Sequence, residues 1–136
     1  MLLVVDANIL ISAILKKSVA QNLLFNSFLE LYSPVFLLSE IEEHRAELKE
    51  KMHCDEKTFH DALRFVLTRV KLVDEKQYSE NMDIATALSP DADDVPYVAL
   101  ALTLNCPLWT RDKELLKSSG VKTLDTNALA GFLGLI

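Results

Sequence analysis

The sequence predicts an α/β fold built on a parallel sheet, and three observations carry that expectation. Short apolar runs alternate with longer segments of helical periodicity, which is the pattern of strand–helix–strand units. Glycine and proline are scarce, at 3 and 4 residues, which excludes a turn-rich all-β chain or a disordered one. A chain of 136 residues fits one domain, and a domain of that size buries about two-thirds of its unfolded surface.

Residues 1–5 read as a buried strand, followed by a helix from about Asn8 to Lys16. Ser18 can cap a second helix, "VAQNLLFNSFLELY", whose apolar positions recur at helical spacing. A short strand is expected between Pro34 and Leu38. Ser39 and Glu42 have capping-box spacing for a long helix reaching about Met52. Asp55 opens the helix "EKTFHDALRFVLTRV", with Phe59, Leu63, Val66 and Val70 on one face. "KLV" is a strand, Glu75–Leu88 is helical, and "SPDADD" is a turn-rich break. Val95–Leu104 reads as a buried helix, and Pro96 is tolerated in its first turn because the amide it lacks would be unpaired there. "CPLWT" is a strand with Trp109 packed in the core or on the sheet, and "DKELLKSSG" is a short helix closed by Gly120. "VKTL" is the last strand and "TNALAGFLGL" a terminal helix.

No apolar run approaches the roughly 18 residues that a membrane span needs. A signal peptide is not expected either, because Asp6 interrupts the first apolar stretch and no basic region precedes it. Cys54 and Cys106 have neither metal-ligand nor redox spacing, so a reducing, cytoplasmic setting is expected. The net charge of −6 argues against bulk electrostatic grip on nucleic acid. That objection weakens if part of the charge is carboxylate that binds a metal ion.

Four acids stand at positions that matter for chemistry. Asp6 ends the first apolar run, Glu40 that of "PVFLLSEI", and Asp112 follows "CPLWTR", while Asp94 stands in "DADDVPYVALAL". In a parallel sheet the crevice outside the carboxyl ends of the strands is the usual ligand site. Carboxylates converging there repel, at roughly 4 kcal/mol for a pair about 4 Å apart at an effective dielectric of 20. A divalent cation offsets that cost, and Mg²⁺ or Mn²⁺ suits all-oxygen ligands. Each acid also has a structural explanation, since Asp is a favoured N-cap and first-turn acids complement the helix dipole. Asp6 and Asp112 can cap their helices, and Glu40 and Asp94 can be first-turn acids.

Other chemistries fit the residues less well. An aspartyl-phosphate phosphatase usually wants a second Asp where this chain has Asn8, and no phosphate-cradling glycine loop is present. His44, His53 and His60 share no metal spacing, although His44 lies one turn beyond Glu40.

At these residues the chain resembles the PIN domain family. "VVDANILISAIL", "SPVFLLSEI", "DADDVPYVALAL" and "PLWTRDKEL" are similar to the four family motifs, in order, across residues 4 to 115. Ala7 stands where the family often has Thr or Ser. The resemblance implies a three-layer α/β/α sandwich with a central, mainly parallel sheet. It implies that Asp6, Glu40, Asp94 and Asp112 form a catalytic, metal-binding cluster, with Asp91 as an outer or second-metal group. Asn8 and Thr110 would orient the carboxylates, and Glu42 and Glu43 compete with Glu40 for its place. The implied activity is Mg²⁺- or Mn²⁺-dependent RNA cleavage, as in VapC-type toxins held inactive by an antitoxin protein. A PIN-like module that binds RNA or protein without cutting, and a small-molecule phosphohydrolase, are the competing readings. Arg45, Lys49, Arg111 and Lys113 are candidates for guiding the phosphate backbone. The apolar faces of "VAQNLLFNSFLELY" and "FHDALRFVLTRV" predict a homodimer if they face outward.

Overall fold

A computed structural model describes residues 1–118 and 120–135. Five strands form one sheet in the order β3-β2-β1-β4-β5, with β1 at Leu2–Val5, β2 at Glu30–Pro34, β3 at Val70–Val73, β4 at Leu108–Trp109 and β5 at Thr123–Leu124. All four neighbouring pairs are parallel, and the register sets Val4 against Tyr32 on one side and Leu108 on the other. Among the described residues the helices are α1 (Ala7–Leu15), α2 (Val19–Leu24), α3 (Phe36–Glu43), α4 (Arg45–Met52), α5 (Glu56–Leu67), α6 (Met82–Leu88), α7 (Val95–Leu104), α8 (Lys113–Lys117) and α9 (Thr126–Phe132).

The path from β1 to β3 runs one way along the sheet, and the crossover from β3 to β4 returns past the start. Right-handed connections therefore place α1–α5 on one face and α6–α7 on the other. Packing agrees: α1 lies against α2, α3, α4 and α5, whereas α7 lies across β1, β2 and β4. A central parallel strand is covered on both faces, so it reads as an unbroken apolar run. Leu3, Val4 and Val5 are fully buried, as are Leu108 and Trp109. Helix α7 is likewise apolar on all sides, and its residues from Val95 to Ala101 are buried.

Local signals of capping succeed where the cap is real. Ser18 Oγ accepts from the Gln21 amide at 3.2 Å, and Asp55 Oδ1 from the Thr58 amide at 2.9 Å. Trp109 is a core residue, its indole N–H donating to Thr126 Oγ1 at 3.2 Å.

The stretch between Phe25 and Met52 departs from expectation. The second helix stops at Leu24, and Glu30–Pro34 is strand β2 rather than helix. Asn26 Oδ1 accepts from the Phe28 amide at 2.8 Å, a local turn that breaks the helix. Pairing with β1 then overrides helical periodicity, and the alternation of exposed Glu30 with buried Leu31 fits a strand. The strand expected at Pro34–Leu38 thus lies upstream, and α3 begins at Phe36. Ser39 falls inside α3, whose first turn has no side-chain cap, so the capping box does not form. The long helix is broken at His44 into α3 and α4.

Two further differences are smaller. Most of 75–81 is short 3-10 turns, and α6 starts only at Met82. Helix α8 ends at Lys117 with Ser118 extended, so Gly120 does not close it. Gly120 serves packing instead, since a Cβ there would lie 2.5 Å from the Leu88 side chain.

The loop into β2 is held from the start of the neighbouring strand β3. The Arg69 guanidinium donates to the carbonyls of Leu24, Asn26 and Leu29 at 2.9, 2.9 and 3.1 Å. Charged donors on carbonyls are worth about 1.5–3 kcal/mol each, less where the released groups can hydrate. Arg69→Met, which keeps the stem and removes the donors, is expected to cost about 2–3 kcal/mol in urea denaturation. A loss below about 0.5 kcal/mol would show that Arg69 does not clamp this loop.

Candidate metal centre at the carboxyl edge of the sheet

Strands β1 and β4 lie side by side where the winding of the sheet reverses, and that switch point opens a crevice at their carboxyl ends. Asp6 follows β1 and its amide continues the ladder, donating to the Trp109 carbonyl at 3.0 Å. Its side chain is 6% exposed, and fully buried Thr110 donates to Asp6 Oδ2 at 2.7 Å. Thr110 Oγ1 in turn accepts from the Asp112 amide at 3.0 Å. One hydroxyl therefore ties the end of β1 to the loop that carries Asp112.

Asp112 caps α8, its Oδ1 accepting from the amides of Glu114 and Leu115 at 2.9 and 3.3 Å. Asp94 enters from the other face at the start of α7, 9% exposed, and its Oδ2 is buried with no hydrogen-bond partner. Glu40 projects from the second turn of α3, not the first, and its Oε1 accepts a hydrogen bond from the Tyr97 hydroxyl. The expectation that Glu40 directly follows a strand is therefore corrected, and the charge of Asp6 still acts on its carboxylate. Of its rivals, Glu42 is taken by Arg45 at 2.9 Å and Glu43 is exposed.

Burial and mutual repulsion act on these acids together. Burial pushes the Asp94 carboxyl up to about 6, helped by the charges of Asp112, Asp6 and Asp91. Burial pushes Glu40 up to about 7 against the lowering pull of Tyr97, with Asp6 and Asp93 adding repulsion. Burial also raises Asp6, opposed by the Thr110 hydrogen bond and aided by Asp112. The four acids thus share one electrostatic neighbourhood. They do not close into a ligand shell: among the described residues, no three His, Cys, Asp or Glu side chains are grouped so as to hold a metal ion.

What the residues do offer a cation is an all-oxygen donor set, which a hard divalent ion prefers. They also offer a buried carboxylate oxygen that nothing among the described residues satisfies. Both fit Mg²⁺ or Mn²⁺.

The remaining sequence candidates divide. Asp91 is exposed and its Oδ1 accepts from the Asp93 amide at 3.2 Å, leaving it at the rim. Asn8 makes no side-chain hydrogen bond to a carboxylate among the described residues. It lines a groove of about 340 Å³ with Ile11, Ser12, Leu15, Arg111 and Asp112. Arg111 reaches over that groove to Ser12 Oγ at 2.8 Å. Arg45 and Lys49 are engaged elsewhere, bridging α4 to Glu42 and Glu56. His44 pairs with Glu47 at 3.5 Å rather than turning to the acids. Tyr97 and Asp93 were not anticipated. The i,i+3 spacing of Tyr97 from Asp94 was the available signal for the former.

The sequence matches the PIN domain family over residues 4–132. The chain belongs to that family. No curated protein matches it in sequence. Among solved structures, this PIN domain is similar to PAE2754 from Pyrobaculum aerophilum, with a TM-score of 0.71 and 20% identity over 98% of this chain and 90% of that one. It is similar also to a chain of VapBC-1 from nontypeable Haemophilus influenzae, with a TM-score of 0.69 and 16% identity over 93% and 99%. VapBC2 from Rickettsia felis, solved with a DNA fragment from its promoter, gives 0.66 and 18% over 92% and 98%. At such identities the likeness establishes the fold, including the parallel three-layer architecture.

The raised carboxyls set a pH dependence in metal-free protein. Asp94 and Glu40 hold protons more tightly folded than unfolded, so their contribution to stability is present below about pH 4. It falls as pH rises through about 6 to 7. Asp94→Asn removes part of that loss. In urea titrations with EDTA, its stability relative to wild type is expected to grow between pH 4.5 and pH 8. A constant difference across that range would exclude a raised Asp94.

Proposed function

We propose that this PIN domain is a Mg²⁺- or Mn²⁺-dependent endoribonuclease that cleaves RNA phosphodiesters at the acidic edge of its sheet. The observation that carries the reading is Asp94 Oδ2, buried and unpartnered among the described residues, with the charges of Asp112 and Asp6 acting on Asp94 and that of Asp6 on Glu40. A binding scaffold has no need of mutually repelling, desolvated acids, which favours catalysis over a non-cutting module. A divalent ion held there supplies polarisation of the scissile phosphate and a lowered pKa for a bound water.

The protein's own part is to place groups. Thr110 holds Asp6 Oδ2, and Asp112 keeps one oxygen on its own helix while its charge adds to the cluster. Arg111, tethered to Ser12 and in no carboxylate ion pair among the described residues, is placed to take a phosphate beside Asp112. Exposed Lys113 follows as the first residue of α8. A net-acidic chain can hold a polyanion through such local cations once its site carboxylates are neutralised.

The toxin reading goes further. The resemblance to VapC-type proteins and the similarity to chains of VapBC complexes support a cytoplasmic toxin restrained by an antitoxin. Among the described residues no helix is long and apolar enough to cross a membrane. A homodimer is also proposed, on narrower grounds than the helical periodicity suggested. The α5 residues Phe59, Leu63 and Val66 are buried within the chain, as are Ala20, Leu23 and Leu24 of α2. The exposed apolar side chains include Val19 of α2, Phe65 of α5, stacked on Phe25 at 4.8 Å, and Phe28 and Phe132, 69% and 66% exposed.

Asp6→Asn and Asp112→Asn are each expected to reduce RNA cleavage at least 100-fold, in line with loss of a preorganised charge. Circular dichroism should stay native. Wild type should lose cleavage in EDTA, regain it with Mg²⁺ or Mn²⁺, and leave free nucleotides intact. A folded Asp112→Asn protein that cuts at the wild-type rate would end the site assignment, and turnover of nucleotides alone would favour a phosphohydrolase. Sedimentation at micromolar concentration should show about twice the 15.3 kDa chain mass. A 15.3 kDa species at all concentrations would refute the dimer and leave the nuclease reading intact.

A further inference from the structure

Tyr97 poses a problem of cost. It lies in α7, which is apolar on all sides, and it is only 1% exposed. Phenylalanine would fill nearly the same space without desolvating a hydroxyl, and a buried hydroxyl is costly unless it is hydrogen-bonded. The Tyr97 hydroxyl has a partner, Glu40 Oε1 on α3. Its ring meets the Phe36 ring edge-on, with centroids 6.3 Å apart and planes at 70°. Phe36 is one turn before Glu40 on α3, and Tyr97 is one turn after Asp94 on α7. Tyr97 therefore meets two residues one turn apart on α3, Phe36 with its ring and Glu40 with its hydroxyl.

The position of Glu40 explains why such a contact is needed. It stands in the second turn of α3, so its carboxylate reaches the edge only at the end of a long side chain. Free Glu rotamers cost up to about 1.5–2 kcal/mol to order on burial. The other acids need no such help: Asp6 and Asp94 are short and stand at helix starts, and Asp112 is fixed by its own cap.

We propose that Tyr97 is a positioning residue, whose hydroxyl fixes the Glu40 carboxylate at the acidic edge and so tightens binding of the divalent cation. The inference rests on the metal-site reading above. Tyr97 touches neither phosphate nor water in this role; it acts through Glu40. Groups in this position typically change metal affinity 10–100-fold, by roughly that factor when removed.

Thermal melts of the full chain during Mn²⁺ titration read metal affinity without reference to activity, since an ion that binds only the folded state raises the melting temperature. Tyr97→Phe keeps the ring and its contact with Phe36. Its Mn²⁺ midpoint is expected to rise about 10–100-fold, with a metal-free melting temperature close to wild type. In a Glu40→Gln background, Tyr97→Phe should leave the midpoint unchanged, because no charged carboxylate remains to position. A wild-type midpoint in Tyr97→Phe, or a tighter one, overturns the proposal while the metal reading survives. An equal effect of Tyr97→Phe in the presence and absence of Glu40 also overturns it, and marks a purely structural tyrosine. No Mn²⁺ shift in wild type overturns both readings together.

Discussion

Like charges crowded at an edge that cannot spread apart are the constraint on which this structure turns. Winding reverses between β1 and β4, so loops leaving these strands diverge and expose a crevice between them. The strands themselves are fixed, because Leu3, Val4, Val5, Leu108 and Trp109 are fully buried and interior packing is close. Asp6 and Thr110 therefore meet whatever the charge on Asp6, and the Thr110 hydrogen bond holds one of its oxygens in place. Asp112 follows from the same loop, and α7 drives Asp94 in from the opposite face. At an effective dielectric of 20, each pair of charges about 6 Å apart repels by roughly 3 kcal/mol. Two ways out remain, a bound cation or a bound proton, and the raised carboxyls are the second.

Acids elsewhere in the chain behave in the opposite way. Glu56 accepts from Lys49 at 2.7 Å and pairs with Arg45, and Glu47 accepts from Lys51 at 2.8 Å. Hydrogen bonds to Lys49 and Lys51 hold these exposed carboxyls below their ordinary value. That network on α4 and α5 takes up Arg45, Lys49 and Lys51 at the surface. Arg45 is committed further, lying over the Phe59 ring at 5.0 Å. Cations are thus distributed so that the surface helices are paired and the cleft is not. Net charge alone carried little information about nucleic-acid binding for this reason, since it sums two populations of acid in unlike surroundings.

Legibility followed the range of the interaction that decided each element. Caps at Ser18 and Asp55 are made within three residues, and they were readable from the sequence. Strand β1 and helix α7 were readable because two-sided burial leaves an unbroken apolar run. Strand β2 was not, because "FLELY" has helical spacing and only pairing with β1 makes it a strand. With β2 upstream at Glu30–Pro34, Glu40 stands in a second turn rather than a first, and its tether to Tyr97 is a long-range contact that local spacing does not specify. Tyr97 was hidden for a related reason. An aromatic residue in an apolar helix looks like core until its hydroxyl is seen to face an acid from 57 residues away.

The alternative that each acid merely caps a helix can be judged from the hydrogen bonds. Asp55 and Asp125 are true caps, accepting from the Thr58 and Ala128 amides at 2.9 and 2.7 Å. The amide bond to Asp55 lowers its pKa, as capping should. Asp6 has the same extended backbone and makes no side-chain cap hydrogen bond, while Asp94 ends a 3-10 turn in helical backbone and leaves capping to Asp91. The macrodipole of α7 favours an anion at its N-terminus by about 0.3–1 kcal/mol, yet Asp94 is raised to about 6. Burial and repulsion together therefore exceed the dipole. Capping therefore does not account for Asp94, whose Oδ2 is buried and, among the described residues, unpartnered, with the charges of Asp112 and Asp6 acting on it. Asp112 does both, which shows that capping and membership of the cluster are compatible when one oxygen serves each.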